Sequence, residues 1–233
     1  MKWKETLKTA AVPLLLLGCT LILLLAMLHI RRVNRTDTAL KTGYILIDPG
    51  HGGADGGATA ADGTSEKDVN LAISLPLADM LRICGYDVVL TRGTDISIHS
   101  ADAATLREQK ISDMKNRLAM YENAALAVGI HQNKFTSAKY FGTQVFYSVN
   151  NQGSQVLADA IRTSVIERLQ PDNKRELKKG TEDIFLLHKT TVPAVLVECG
   201  FLSNAEECAK LKNPEYQGKM AFAITAGVMD YLN

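Results

Sequence analysis

Tyr44-Ile45-Leu46-Ile47-Asp48-Pro49-Gly50-His51-Gly52-Gly53-Ala54-Asp55-Gly56-Gly57 joins a strand signal to an abrupt stop. Four strand-forming residues lead into a proline, which cannot donate to a sheet ladder, and then into five glycines around one histidine. The strand must end there and turn, so His51 is presented at a strand end, where α/β proteins place their chemistry. So much glycine raises phosphate binding as a rival. No Gly-Lys-Ser/Thr follows, however, and Gly50-x-Gly52-x-x-Asp55 ends wrongly for a dinucleotide fingerprint. What remains is an imidazole with little bulk around it, which suits a metal ligand that must leave room for a substrate.

Outward from this stretch, short β-rich runs alternate with longer amphipathic ones, the pattern of an α/β sheet covered by helices on both faces. Strands are expected at 44–48, 86–91, 126–131, 142–148, 183–187 and 193–199. Ser65-Glu66-Lys67-Asp68 reads as a capping box, followed by Val69, Ile73, Leu77, Met80 and Cys84 at helical spacing until Gly85. Pro76 inside that run predicts a kink. A second helix shows Ile111, Met114, Leu118, Tyr121 and Ala125 on one face, and a third, near 153–170, turns Val156, Ala160, Ile161, Val165 and Leu169 inward. Ser203-Asn204-Ala205-Glu206 starts a short helix, and Asn213-Pro214 starts a last one with Met220, Ile224, Val228 and Tyr231 on its inner face.

At the other end, residues 10–30 are about 21 nearly apolar positions, enough for one transmembrane helix and longer than a usual signal core. Lys2, Lys4 and Lys8 precede this run and Arg31, Arg32 and Arg35 follow it, so loop charge does not fix its orientation. No small-x-small cleavage site follows, which favours an uncleaved anchor; Leu16-Leu17-Gly18-Cys19 is a faint rival signal for lipidation at Cys19. The organisation expected is a cytoplasmic tail (1–9), an anchor (10–30), a polar linker (31–42) and one domain (43–233) held outside the cytoplasm. Beyond residue 35 the chain carries 20 basic against 24 acidic residues, a poor nucleic-acid binder. Cys84, Cys199 and Cys208 make no disulfide framework and read as small buried residues.

His131 closes the apolar segment Leu126–Ile130, so a second imidazole also sits at a strand end. Two such groups can meet over one edge of a parallel sheet. Glu66, in the first turn of the next helix, is the best-placed third ligand, and two histidines with one glutamate leave zinc an open position. The bland readings stand beside this one. A histidine at a strand end is often just hydrogen-bonded structure, Glu66 alone is a helix-capping acid, and separations of 15 and 65 residues match no short zinc signature. Glu198 closes the apolar strand Ala194–Val197, where an acid is costly without a task or a partner; it reads as a general base or as the ion-pair partner of Arg117 or Arg92. Cys199 with His188 as its base is a weaker alternative that leaves His51 and its glycines unexplained.

Together these segments resemble the zinc-dependent N-acetylmuramoyl-L-alanine amidases. The likeness rests on Ile45-Leu-Ile-Asp-Pro-Gly-His51-Gly-Gly, Ser65-Glu66-Lys-Asp-Val-Asn-Leu, Gly85-Tyr-Asp-Val-Val-Leu-Thr-Arg92, Arg117 ahead of Ile130-His131-Gln-Asn133, and Val192-Pro-Ala-Val-Leu-Val-Glu198-Cys-Gly-Phe-Leu-Ser-Asn204. It implies a mixed, mostly parallel, twisted six-stranded sheet, peptidoglycan as substrate, Zn2+ held by His51, Glu66 and His131, and Glu198 as the catalytic acid. Asn133 and Arg117 fall on positions that support the site. The apolar anchor and Thr181-Glu-Asp-Ile-Phe-Leu-Leu-His188-Lys-Thr-Thr-Val-Pro193 resemble most the sporulation amidases of endospore formers, which prepare cortex peptidoglycan for muramic-δ-lactam formation. The resemblance also admits an accessory protein that controls activity. The remaining alternatives are a general amidase of wall growth or division, a zinc peptidase acting within the stem peptide, and an idle wall-binding module.

Overall fold

The computed structural model describes residues 18–23 and 43–233. Residues 18–23 are helical and exposed. The expected tail, the linker and the rest of the 10–30 anchor lie outside the described residues, among which no helix is long and apolar enough to cross a membrane. The rest of this section concerns the larger of two compact units, Thr42–Tyr231.

Strand β1 (Tyr44–Pro49) is apolar on both faces, and Ile45, Leu46 and Ile47 are fully buried. Such a run belongs at the centre of a parallel sheet covered on both sides. It lies between β2 (Val88–Leu90) and β3 (Ala124–Asn133), parallel to both. Beyond β3, β6 (Ala194–Phe201) also runs parallel, followed by antiparallel β4 (Gln144–Tyr147) and a two-residue edge strand, β5 (Lys178–Lys179). The order is β2-β1-β3-β6-β4-β5. Because β1, β3 and β6 share a direction, their C-terminal ends form one edge, and the registers Pro49↔Ile130 and His131↔Glu198 set His51, His131 and Glu198 along it.

Helix α1 (Glu66–Ile83) packs on β1 and β3, while α2 (Leu106–Glu122) and α4 (Phe185–Lys189) meet over Leu46 and Ala127, where Tyr121, Leu186 and Leu187 complete a core cluster. Alternation along β1 sends Leu46 to one face and Ile45 and Ile47 to the other, so helices cover both. Helices α3 (Gln152–Arg168), α5 (Ala205–Leu211) and α6 (Pro214–Leu232) complete the unit.

The structure corrects several expectations. Residues 183–187 do not form a strand: His188 N–H donates to Ile184 O and Thr190 N–H to Leu186 O, which makes the run a short helix that buries Leu186 and Leu187. A short apolar run fits either element, and periodicity cannot choose between them. The strand in its place, Lys178–Lys179, is exposed and carries no apolar signal. Ser65 is the N-cap of α1 but closes no capping box, since its hydroxyl donates to Gly56 O; the box occurs instead at Thr105 and Glu108, ahead of α2. Val156 and Ile111 face solvent, Leu157 being buried on α3 beside the expected Ile161 and Val165, and Cys84 is exposed.

Candidate functional site

The turn after β1 is built to aim His51. Its φ is +63°, a left-handed conformation that costs a non-glycine residue on the order of 1 to 3 kcal/mol and must be held by its surroundings. Two buried arginines hold it. Arg92 donates from Nε to Pro49 O at 3.0 Å and from Nη2 to Gly50 O at 3.0 Å; Arg117 donates from Nη1 to Pro49 O at 3.0 Å and from Nη2 to His51 O at 2.7 Å. Asn70 adds a bond to Gly50 O at 3.1 Å. Every carbonyl from Pro49 to His51 is thus fixed by a side chain. Arg117 in turn pairs with Asp48 and with Asp113 Oδ2, and Thr91 and Tyr121 also donate to Asp48. Burial opposes the Asp48 charge, but Arg117 and these hydrogen bonds hold the carboxyl below its usual range.

Gly52 and Asp55 exchange backbone hydrogen bonds of 2.9 and 3.1 Å, a tight turn that returns Asp55 to His51. Its Oδ2 lies 3.0 Å from His51 Nδ1, which leaves Nε2 for the site. A carboxylate behind a ligating histidine fixes the ring and its tautomer. His51 Nε2 is 3.3 Å from Glu66 Oε1, and His131 Nδ1 is 3.0 Å from the same oxygen. The two rings meet edge to face with centroids 5.1 Å apart. Glu66 is buried, and its oxygens accept from Ala58 N–H at 2.8 Å and Gln132 N–H at 3.1 Å. Burial resists its charge, but bonds and attraction from both histidines outweigh that and hold the carboxyl far below its usual range.

One nitrogen of each ring and one Glu66 oxygen lie within 4.8 Å of one another, a set that could hold one metal ion. Hard and borderline donors, two imidazoles and one carboxylate, are the set that a catalytic divalent ion takes with a position left open. The backbone is pared down to make this room. A Cβ on Gly50 would come 2.2 Å from the His131 ring, and one on Gly57, at φ +66°, would meet Glu66 Oε2 and His51 Cδ2 at 2.6 Å. Gly50→Ala is therefore expected to push the His131 ring aside and to lower the affinity for a divalent ion by about 10- to 100-fold, the range seen when ligand orientation is lost, as read by metal titration.

Glu198 stands beside His131 in the β3–β6 register. Neither Arg117 nor Arg92 is its partner, both being committed to Asp48, Asp113 and backbone carbonyls. Its Oε2 is shut off from solvent and finds no hydrogen bond among the described residues. Burial pushes this carboxyl up to about 7, against the pull of His131 and His51 and with the push of Glu66. Next to it, Cys199 is fully buried on the other face of the strand, and burial keeps its thiol protonated, which speaks against a nucleophile paired with His188. Asn133, two residues beyond His131, makes no side-chain hydrogen bond among the described residues and leaves its carbonyl to Leu202 N–H at 2.8 Å. Sequence reasoning missed Asp55 and Asn70, and it gave Arg92 only a possible pairing with Glu198. The acid four residues after His51, in a glycine-rich turn, was the one signal available.

The chain is similar to several known proteins. The germination-specific N-acetylmuramoyl-L-alanine amidase of Bacillus subtilis (strain 168) is 33% identical over 189 residues, 80% of this chain and 78% of that protein. Among solved structures, the CwlD amidase from Clostridioides difficile, in complex with the GerS lipoprotein, superposes with a TM-score of 0.78 at 41% identity, covering 82% of this chain and 98% of that one. An N-acetylmuramoyl-L-alanine amidase from Clostridium difficile 630 gives 0.71 at 30% identity, over 82% and 97%. With residues 45–230 matched by the family model for N-acetylmuramoyl-L-alanine amidase, this chain belongs to that family.

Proposed function

We propose that this chain is a zinc-dependent amidase that hydrolyses the bond between the lactyl group of N-acetylmuramic acid and the L-alanine of the peptidoglycan stem peptide. The observation that carries the reading is Glu198: a half-buried acid whose Oε2 is shut off from solvent and has no hydrogen-bond partner among the described residues, next in register to one of three converging donors. His51, Glu66 and His131 would hold Zn2+, whose chemistry is to polarise a carbonyl and to acidify water toward neutral pH. Glu198 takes a proton from the attacking water and delivers it to the departing alanine amine as the C–N bond breaks. Its raised value suits both halves of that transfer. Asp55 keeps the His51 ring oriented, and Arg92 and Arg117 keep its loop in shape.

The proposal extends to setting. The name of the B. subtilis relative, a germination-specific amidase, and the 181–193 segment support action on spore-cortex peptidoglycan, as the step that precedes muramic-δ-lactam formation. Residues 10–30 would hold the domain to a membrane on its outer side, and a protein partner that controls activity is part of the reading, supported by the lipoprotein complex of the C. difficile amidase.

Chelation of the purified protein is expected to abolish release of stem peptides from peptidoglycan, and added Zn2+ to restore it. Digestion should expose new N-terminal alanine on intact stems. Shortened peptides would instead identify a peptidase, and normal lactam content in spores lacking the protein would remove the cortex role.

A further inference from the structure

Beside the His51 and His131 rings, α2 and α4 enclose a cleft of about 230 Å³ whose apolar wall includes Met114, Leu186, Leu187 and Leu196. An apolar cleft with a few charges placed in it orients a small flexible ligand by those charges. Most of the charges here are already taken. Arg117 is buried and paired with Asp48 and Asp113, and Asp55 gives its Oδ2 to His51 at 3.0 Å. Lys110 reaches the same oxygen only at 3.4 Å, with 65% of its side chain exposed, and so is weakly held. On the segment leading into α4, Asp183 is exposed and forms no ion pair among the described residues. The cleft therefore offers a cation from α2 and an anion from the α4 side.

We propose that Lys110 is a specificity residue that binds a free carboxylate on the peptide residue following the scissile alanine, and so selects stems with unamidated isoglutamate. This rests on the amidase reading. A peptide residue spans about 3.5 Å, so that carboxylate lies about 7 Å beyond the scissile carbonyl. Lys110 lines the same cleft as the His51 and His131 rings, so a stem peptide lying along that cleft from the site passes its ammonium. Asp183 repels a carboxylate from the other wall and so directs it toward α2. An ionic hydrogen bond is given up when a neutral carboxamide replaces the acid.

The test compares glycan strands whose stems carry D-isoglutamate with strands carrying its α-amide, digested by the full chain and by Lys110→Met and Lys110→Arg. The wild type is expected to favour the acid about tenfold in kcat/KM, mainly through KM, as for a hydrogen bond to a charged group. Lys110→Met should bring the ratio to about one, and Lys110→Arg should restore it. A purely structural role, exerted through Asp55 on His51, would lower both substrates together and leave the ratio standing; that result, or a wild-type ratio of one, overturns the proposal. Failure of the wild type to cleave either strand would instead sink the amidase reading, and this inference with it.

Discussion

Glu198→Gln is expected to lower kcat for stem-peptide release by about 10²- to 10⁴-fold, the usual contribution of a positioned general acid–base group. Metal content should be unchanged, because Glu198 is not one of the three converging donors. Glutamine keeps the shape and removes only the ability to carry a proton, so the variant separates chemistry from architecture. Stability supplies the second readout. The Glu198 oxygen is buried without a partner, and burial already resists its ionisation. A neutral amide in that place should leave the thermal midpoint equal or higher, while activity collapses. His131→Ala, by contrast, should lose metal and activity together. If Glu198→Gln retains turnover, or loses metal as His131→Ala does, Glu198 is not the proton carrier.

The parts of this fold that were legible in the sequence are those where one physical demand dominates. Strands β1, β3 and β6 are buried on both faces, so they read as unbroken apolar runs, and each is interrupted by a polar residue only where the chemistry sits. Asp48-Pro49-Gly50-His51 marks a strand that must stop, and Glu198 marks an acid that burial penalises. The strand misread at 183–187 had no such signal. Five residues suit a strand or one turn of helix equally, and only packing of Leu186 and Leu187 against Tyr121 decides the matter. Strand β5 was invisible because an exposed Lys-Lys edge is chosen by its neighbour β4, not by its own residues. On α3 the expected Ile161 and Val165 are buried, and the error lies in the first turn, where Leu157 turns inward instead of Val156.

The site was legible in its donors and hidden in their supports. His51, Glu66, His131 and Glu198 are residue types that need a reason to be where they are. Asp55 and Asn70 needed none: an acid in a glycine turn and a polar helix residue are ordinary surface chemistry until the loop closes. Their roles depend on a left-handed His51 and on carbonyls that turn inward, and neither property belongs to any single residue type.

Arg117→Met should destabilise the domain by about 3 to 5 kcal/mol, the usual consequence of removing one partner from a buried ion pair and stranding the other. Methionine fills similar volume, so the loss reports charge and hydrogen bonding more than a cavity. The pH dependence identifies the cause. With Arg117 present the folded Asp48 carboxyl lies below its ordinary value, so its stabilisation is complete above about pH 4 and is lost as pH falls through the depressed value. Without the guanidinium, burial acts with less opposition and the value rises. The sign then reverses: the stranded carboxylate costs most above the raised value, and stability returns as falling pH protonates it. Denaturant midpoints of the two proteins should therefore lie furthest apart near neutrality and converge on acidification, and Asp48→Asn added to Arg117→Met should recover part of the loss at pH of about 7. A gap that stays constant with pH would assign the loss to packing. Because Arg117 also donates to the carbonyls of Pro49 and His51, the variant should bind metal more weakly as well, and Asp48→Asn should not repair that, since the carbonyls it leaves exposed belong to the loop and not to Asp48.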